Sequence, residues 1–476
     1  YGRKNAFNGT LFVTAIFGCA SSFATSFPML CSLCFMLGTG VGGSMPTDGT
    51  LFLENLPRSK RYLLTALSVF FAVGSVITSV LGLLLIPGYS CPPGAGRDGS
   101  PPCNMQEQNQ GWRWVLNGLG FVTVCFVVAR IIFFKLFESP KFLVASGRPQ
   151  EARVILQRIA AFNGRPLPVS LRDVEDSDLL QESQQRTAQT APSWTSGGGQ
   201  GYDTLPTEEQ DAIDDNEEDE ERQAAHSTLT TSQTLQSSAT LKWLPESWRP
   251  GTAEFVARYV NLFEPRWRRT TILVWAIWTL VSLAFTIFNV FLPKFLETRL
   301  GQSGGGGEGG GSGMESRTAV MQDYLLYALA SVPGSLLGAW LIETRLGRIG
   351  SMALSTPCTA LSTHAFTAVT SRFSIVFSSM LISISATTAY AAIYGYTPEV
   401  FTTDVRGTAC GSASALSRLA GIIAPLVAGV LLAININLPL FLSVALFAVC
   451  VACMLSLPHE TRRPPEQDTL DAEAGP

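Results

Sequence analysis

Apolar runs about 20 residues long constrain this chain more than anything else in it, because that length matches the hydrocarbon core of a bilayer. Residues 116–134 and 438–457 are the clearest examples. An isolated span in lipid must satisfy its own backbone N–H and C=O groups, and a helix does so internally. The runs do not alternate apolar and polar residues, so they are not the strands of an outer-membrane barrel. Ten spans are predicted, near 7–27, 29–56, 63–86, 112–137, 270–292, 324–342, 349–370, 373–396, 407–432 and 438–457. The predicted fold class is an all-α integral membrane protein. Charged residues form 15% of the chain, against about 25% in ordinary soluble chains.

The charges between the spans set an orientation. Arg58, Lys60, Arg61, Lys141, Arg148, Arg266, Arg268, Arg269, Arg345, Arg348, Arg406, Arg462 and Arg463 fall on one side. The other side holds only Arg97, Arg113, Lys294, Arg299, Arg317 and Arg372. The cation-rich side is expected to face the cytosol, together with both ends of this chain. The net charge of −4 reflects the acidic run 208–221, which carries ten acidic residues. No basic domain or zinc-finger spacing is present, so a nucleic-acid partner, a metal and a cofactor are not expected. A single copy is expected to suffice.

The insert from 165 to 258 joins a Ser-Gly-Gly-Gly-Gln stretch to the acidic run, and it is expected to be a disordered linker. Before it, Ala152, Ile155, Ile159 and Phe162 share one helical face, as in a helix lying along a membrane surface. The predicted organisation is an N-terminal bundle over 1–164, the linker over 165–258, a C-terminal bundle over 259–463 and a tail over 464–476. Cys91 and Cys103 share one Pro/Gly-rich loop on the side where disulfides persist, so a bridge between them is chemically permitted.

The chain repeats itself. Tyr1-Gly2-Arg3-Lys4 recurs loosely as Leu346-Gly347-Arg348, and four spans follow each copy. Glu54-Asn-Leu-Pro-Arg58 in the first copy matches Pro398-Glu399 through Arg406 in the second. Glu138-Ser-Pro-Lys matches Pro458-His-Glu-Thr. Duplicated units of this kind build many secondary transporters. Two spans precede the second Gly-Arg tag and none precedes the first, so two further helices are expected before Tyr1, giving twelve as six plus six.

Several polar residues stand inside or beside spans. Asp48 near one end of its span is costly in lipid, and is expected to face a cavity or a partner as a proton or cation site. Arg418 in mid-span carries the same demand, met either by an anionic group or by Asp48 itself. Tyr390 and Asn289 are weaker candidates for a polar cavity wall. Tyr394 is read with the interfacial aromatic belt, and Arg130 as a snorkelling anchor. Gly38, Gly40, Gly42 and Gly43 match the spacing of a dinucleotide fingerprint, but no βαβ unit surrounds them. Close helix packing is the better reading, since small residues let backbones approach.

Taken with Glu343-Thr-Arg-Leu-Gly-Arg348 and Phe52-Leu-Glu54, these motifs resemble the major facilitator superfamily, in its sugar-transporter-like and synaptic-vesicle-protein-related branch of fungal type. The resemblance covers the ten spans and not the insert. It implies two helical bundles rocking about a central cavity, and secondary active transport of a small polar or charged solute, with protons as the coupling ion. It further implies latch roles for the cations Arg3, Lys4, Arg345, Arg348 and Arg406 and the carboxylates Glu54, Glu138, Glu343, Glu399 and Glu460. The family's arginine four residues before the first glycine of the Gly-rich helix is Cys34 here. A non-transporting receptor or scaffold with the same fold is the alternative. No HExxH or GxSxG motif supports an enzyme.

Overall fold

The structure is a computed structural model that describes residues 3–56, 60, 62–91, 104, 107–133, 143, 149–164, 231, 249–303, 313–369 and 371–458. The chain divides into two compact units, one formed by Tyr1–Asn5 with Leu136–Ser227 and the other by Ala6–Lys135 with Thr228–Pro476. All described elements are helices. They are α1 (Arg3–Ser21), α2 (Phe27–Asn55), α3 (Tyr62–Ala66), α4 (Val69–Leu85), α5 (Gly111–Phe133), α6 (Pro149–Asn163), α7 (Arg249–Asn261), α8 (Arg268–Ser303), α9 (Gly313–Leu341), α10 (Gly347–Ala368), α11 (Arg372–Val400), α12 (Thr403–Ile434) and α13 (Leu438–Leu455).

Each of the ten expected spans is helical, and eight are long and apolar enough to cross a membrane. Two fall short for different reasons. The apolar part of α1 covers only Asn8–Ser21. In α10 the residues Ser351, Ser355, Thr359 and Thr363 replace apolar ones along a single buried stripe. Their hydroxyls donate to carbonyls four residues earlier at 2.5, 2.7, 3.0 and 2.8 Å. The stripe therefore buries no unmet polar atom, and it packs α10 against α11 and α13.

Helix starts follow local chemistry. The Ser26 hydroxyl accepts from the Met29 amide at 3.4 Å, and Pro28 occupies the first turn, where its missing N–H costs nothing. Ser371 caps α11 in the same way, accepting from the Ser374 amide at 3.3 Å. The expected span 63–86 is broken into α3 and α4. Across the break the Ser68 amide donates to the Thr65 carbonyl and the Phe70 amide to the Leu67 carbonyl, so one tighter turn carries the chain on. Pro293, Pro333, Pro357, Pro398 and Pro425 all lie inside helices, as neighbouring helices permit in a membrane fold.

Part of the range expected for the linker is helical. Helix α7 starts at Arg249 and buries Ala253 and Ala257 completely. Alanines four apart form one apolar face, and they supply the periodic signal that the polar composition obscured. Residues 165–230 and 232–248 lie outside the described residues. In the first unit, α6 buries Ala152 and half-buries Ile155 and Ile159, while Phe162 is exposed.

In the second unit, α8 packs on α12 and α13, and α9 on α11. The core there is aromatic and cross-braced. Trp278 Nε1 donates to Thr397 Oγ1 at 2.9 Å, Trp275 Nε1 to Ser412 Oγ at 3.0 Å, and Ser443 Oγ to the Ala284 carbonyl at 3.0 Å. The earlier helices join this core through α4 on α9, α2 on α12 and α11, and α3 on α9 and α11.

Candidate functional site

The site is organised by α2, which has few side chains to keep its neighbours away. A Cβ on Gly40 would lie 2.9 Å from the Thr10 carbonyl oxygen, and one on Gly43 would lie 2.8 Å from Thr10 Cγ2, so α1 sits directly on this face. Seven residues apart on another face, Gly42 approaches Arg418 of α12 and Gly49 approaches Tyr394 of α11. The distances from an added Cβ are 3.8 Å to Arg418 Nε and 3.2 Å to the Tyr394 hydroxyl. Gly38 departs from the packing expected of all four glycines. A Cβ there would meet nothing within 4 Å.

Asp48 stands beside Gly49. Its Oδ1 is fully buried and has no hydrogen-bond partner. The basic charge acting on it is Arg130 of α5, and Tyr394 also feels its charge. Arg130 is itself held by α1, its Nε donating to Asn8 Oδ1 at 2.9 Å. Helices α1, α2, α5 and α11 thus contribute Asn8, Asp48, Arg130 and Tyr394 to one cluster.

Arg418 is placed differently. Its Nη2 donates to the Val41 carbonyl at 3.5 Å, a long bond, and its Nε faces Gly42. Val41 precedes Asp48 by seven residues, or about 10 Å of helix. The hydrogen bond that Arg418 makes is thus to the α2 backbone and not to Asp48.

Tyr390 packs edge-on against Phe285 with ring centroids 5.3 Å apart, and its hydroxyl meets that of Ser282. The Ser282 hydroxyl donates onward to the Ser417 carbonyl at 2.7 Å, joining α8, α11 and α12 next to Arg418. Asn289 lies two turns further along α8, its Oδ1 buried without a partner.

The repeat tags of the second half converge. Arg348 forks onto Glu399, with Nε to Oε2 at 2.9 Å and Nη2 to Oε1 at 3.4 Å, and reaches Glu343 at 3.8 Å. Both members of the fork are buried, with side-chain exposures of 9% and 2%. Gly347 just before it has φ +66°, a left-handed backbone that glycine adopts without strain. Arg345 is exposed and joins no ion pair among the described residues. Arg406 bonds to backbone carbonyls. Its Nε donates to the carbonyls of Pro398 and Phe401 at 2.6 and 3.1 Å, closing the C-terminal end of α11. Glu138 and Glu460 lie outside the described residues, as do the side chains of Arg3, Lys4 and Glu54. Cys91 is buried and disulfide-bonded, and Cys103 lies outside the described residues. Among the described residues no group of His, Cys, Asp and Glu could hold a metal ion.

Sequence reasoning missed the roles of Arg130, Asn8 and Tyr394. It also missed a pair in which the half-exposed Arg372 Nη2 meets Oδ1 of the buried Asp323 at 3.2 Å, tying α11 to α9. The i, i+4 spacing of Tyr390 and Tyr394 signalled one shared face; nothing local signalled the others.

Comparison with known proteins follows from this geometry. The family model described as Major Facilitator Superfamily matches residues 1–363 and 316–475. The MFS siderochrome iron transporter 1 of Ceriporiopsis subvermispora is 31% identical over 97% of this chain and 76% of its own length. The synaptic vesicle 2-related protein of Pongo abelii is 24% identical over 100% of this chain and 69% of its own. The E. coli xylose transporter XylE, a proton:xylose symporter solved with 6-bromo-6-deoxy-D-glucose, superposes with a TM-score of 0.58 at 11% identity, over 98% of this chain and 83% of that one.

Proposed function

We propose, given that this chain belongs to the Major Facilitator Superfamily, that it carries a small polar or charged solute across its membrane by alternating access, coupled to a proton on Asp48. As a member of that family it is a multi-pass secondary transporter and not an enzyme. The observation that carries the finer reading is the Asp48 carboxylate, buried at Oδ1 without a hydrogen-bond partner, beside Gly49, where α2 approaches Tyr394 of α11. A group there can take a proton without breaking an existing bond, and Arg130 supplies the charge whose balance the proton alters. Arg418, Tyr390 and Asn289 are the solute contacts in this reading. The Arg348–Glu399–Glu343 cluster is a cytoplasmic-side brace, with both chain ends in the cytosol.

The test is uptake into proteoliposomes under an imposed pH gradient, using a labelled panel of sugars, carboxylates and ammonium compounds. The solute that wild-type protein accumulates is then followed with Asp48→Asn. The expected result is loss of the gradient's effect on accumulation, with exchange of solute retained. Accumulation by the variant with an unchanged pH profile would remove Asp48 from the coupling step.

A further inference from the structure

We infer that the solute carries a carboxylate held by Arg418, and that it crosses with one proton so that the loaded step moves no net charge. This rests on the transport reading above and names the solute class.

The starting point is the position of Arg418. It is fifteen residues from the start of α12 and sixteen from its end. Roughly 22 Å of helix therefore lies on either side, at 1.5 Å per residue, too far for the side chain to snorkel out of a bilayer. A guanidinium so placed needs a partner or water, since it stays charged at any physiological pH.

No protein carboxylate fills that need among the described residues. Asp48 is two turns away under Arg130. Glu343 and Glu399 belong to Arg348, and Asp323 belongs to Arg372. Arg418 has five N–H donors, and the single hydrogen bond it makes is the 3.5 Å contact with the Val41 carbonyl. The remaining donors form the planar fork that accepts a carboxylate through two parallel bonds.

The surroundings leave room for one. Gly42 stands opposite Nε with no side chain, so α2 does not block the fork. Next to it the Ser417 carbonyl is already occupied by Ser282, so it does not compete for the guanidinium. Beyond Ser282 lie the partly buried rings of Phe285 and Tyr390, an apolar wall for the body of the solute. A cationic solute would be repelled from Arg418, and a neutral one would leave the charge uncompensated.

The charge balance then follows. The carboxylate contributes −1 and the proton on Asp48 contributes +1; both enter from one side and leave on the other. Arg130 and Arg418 keep their charges and do not cross. The groups facing Asp48 are Arg130 from α5 and Tyr394 from α11. Arg418 faces the α2 backbone at Val41 and Gly42, which does not titrate.

The test begins with ligand-induced thermal stabilisation of the purified full chain. The probes are acetate, benzoate and 3-phenylpropionate, with their amides and benzylammonium as controls. At least one carboxylate is expected to raise the unfolding temperature while its amide does not. Arg418→Gln should weaken that response by about tenfold or more, the effect of losing a charge-assisted bond. Arg418→Lys keeps the charge but loses the fork, and should fall between the two. If Arg418→Gln does not fold, the lysine variant and the amide controls carry the result. Equal response to the amide or to benzylammonium, or no response to any carboxylate, would overturn the proposal. In proteoliposomes, uptake of the responding carboxylate should follow an inward proton gradient and ignore a potassium diffusion potential set by valinomycin. Arg418-dependent carboxylate binding with potential-driven, pH-insensitive uptake would sink the Asp48 coupling and leave the Arg418 assignment standing. Proton-driven uptake of a neutral sugar would do the reverse.

Discussion

Helices α5 and α11 are both long enough to span a membrane, yet 6% of the first is buried and 56% of the second. The same contrast separates α2 and α4 from α8 and α9. In the later half the buried carboxylates hold arginines, Glu399 with Arg348 and Asp323 with Arg372, and tryptophan N–H groups meet hydroxyls, while Asn289 Oδ1 and Asp323 Oδ2 stay buried without a bond. In the earlier half, Asp48 keeps a buried oxygen without a bond. The difference teaches a division of labour. One half is a braced framework, and the other brings an unsettled charge against it. That arrangement suits a machine whose two states differ in how the halves meet, since a group already satisfied has no reason to change.

The comparison can be broken most severely in the framework. Arg348→Ala would remove the guanidinium forked onto the buried Glu399 carboxylate, a loss of about 3–5 kcal/mol. Thermal unfolding in detergent should show it as the largest fall of the set, and substitution of both partners by Met and Leu should recover most of it. A fall confined to the single variant's transport would show that the pair braces nothing. Next comes Gly40→Ala, whose Cβ would press on the Thr10 carbonyl. Overpacking of this kind costs about 1–3 kcal/mol. Glu343→Gln tests the rim of the same cluster. Its side chain is 50% exposed, so stability should change by less than about 1 kcal/mol. Gly38→Ala should be smallest and of opposite sign, a gain of up to about 1 kcal/mol from reduced backbone freedom in the unfolded chain. A loss there comparable to that at Gly40 would mean that the open face of α2 is in fact covered.

Much of the fold was legible in the residues because bilayer thickness is a length, and length can be read from a run of apolar letters. Which face of a helix meets which neighbour is not a length. Gly40 and Gly38 look alike in sequence, and only the position of α1 makes one crowded and the other free. Arg130 sits three residues before the last residue of α5, where snorkelling is as good a local reading as pairing. The deciding charge, Asp48, is 82 positions away. Arg348 and Glu399 were both named through the family resemblance, as members of a cation set and a carboxylate set and not as this pair. The Asp323–Arg372 pair has no repeat counterpart to announce it. Helix α7 was hidden because its two buried alanines are too small to stand out against a charged background.

The hydroxyl stripe of α10 has a consequence for leakage. A transmembrane helix bearing four aligned serines and threonines could serve as the wall of a conducting pore. Here all four turn inward onto their own backbone. With each hydroxyl proton already given to a carbonyl of the same helix, the stripe presents no chain of free donors along which an ion or a file of water could pass.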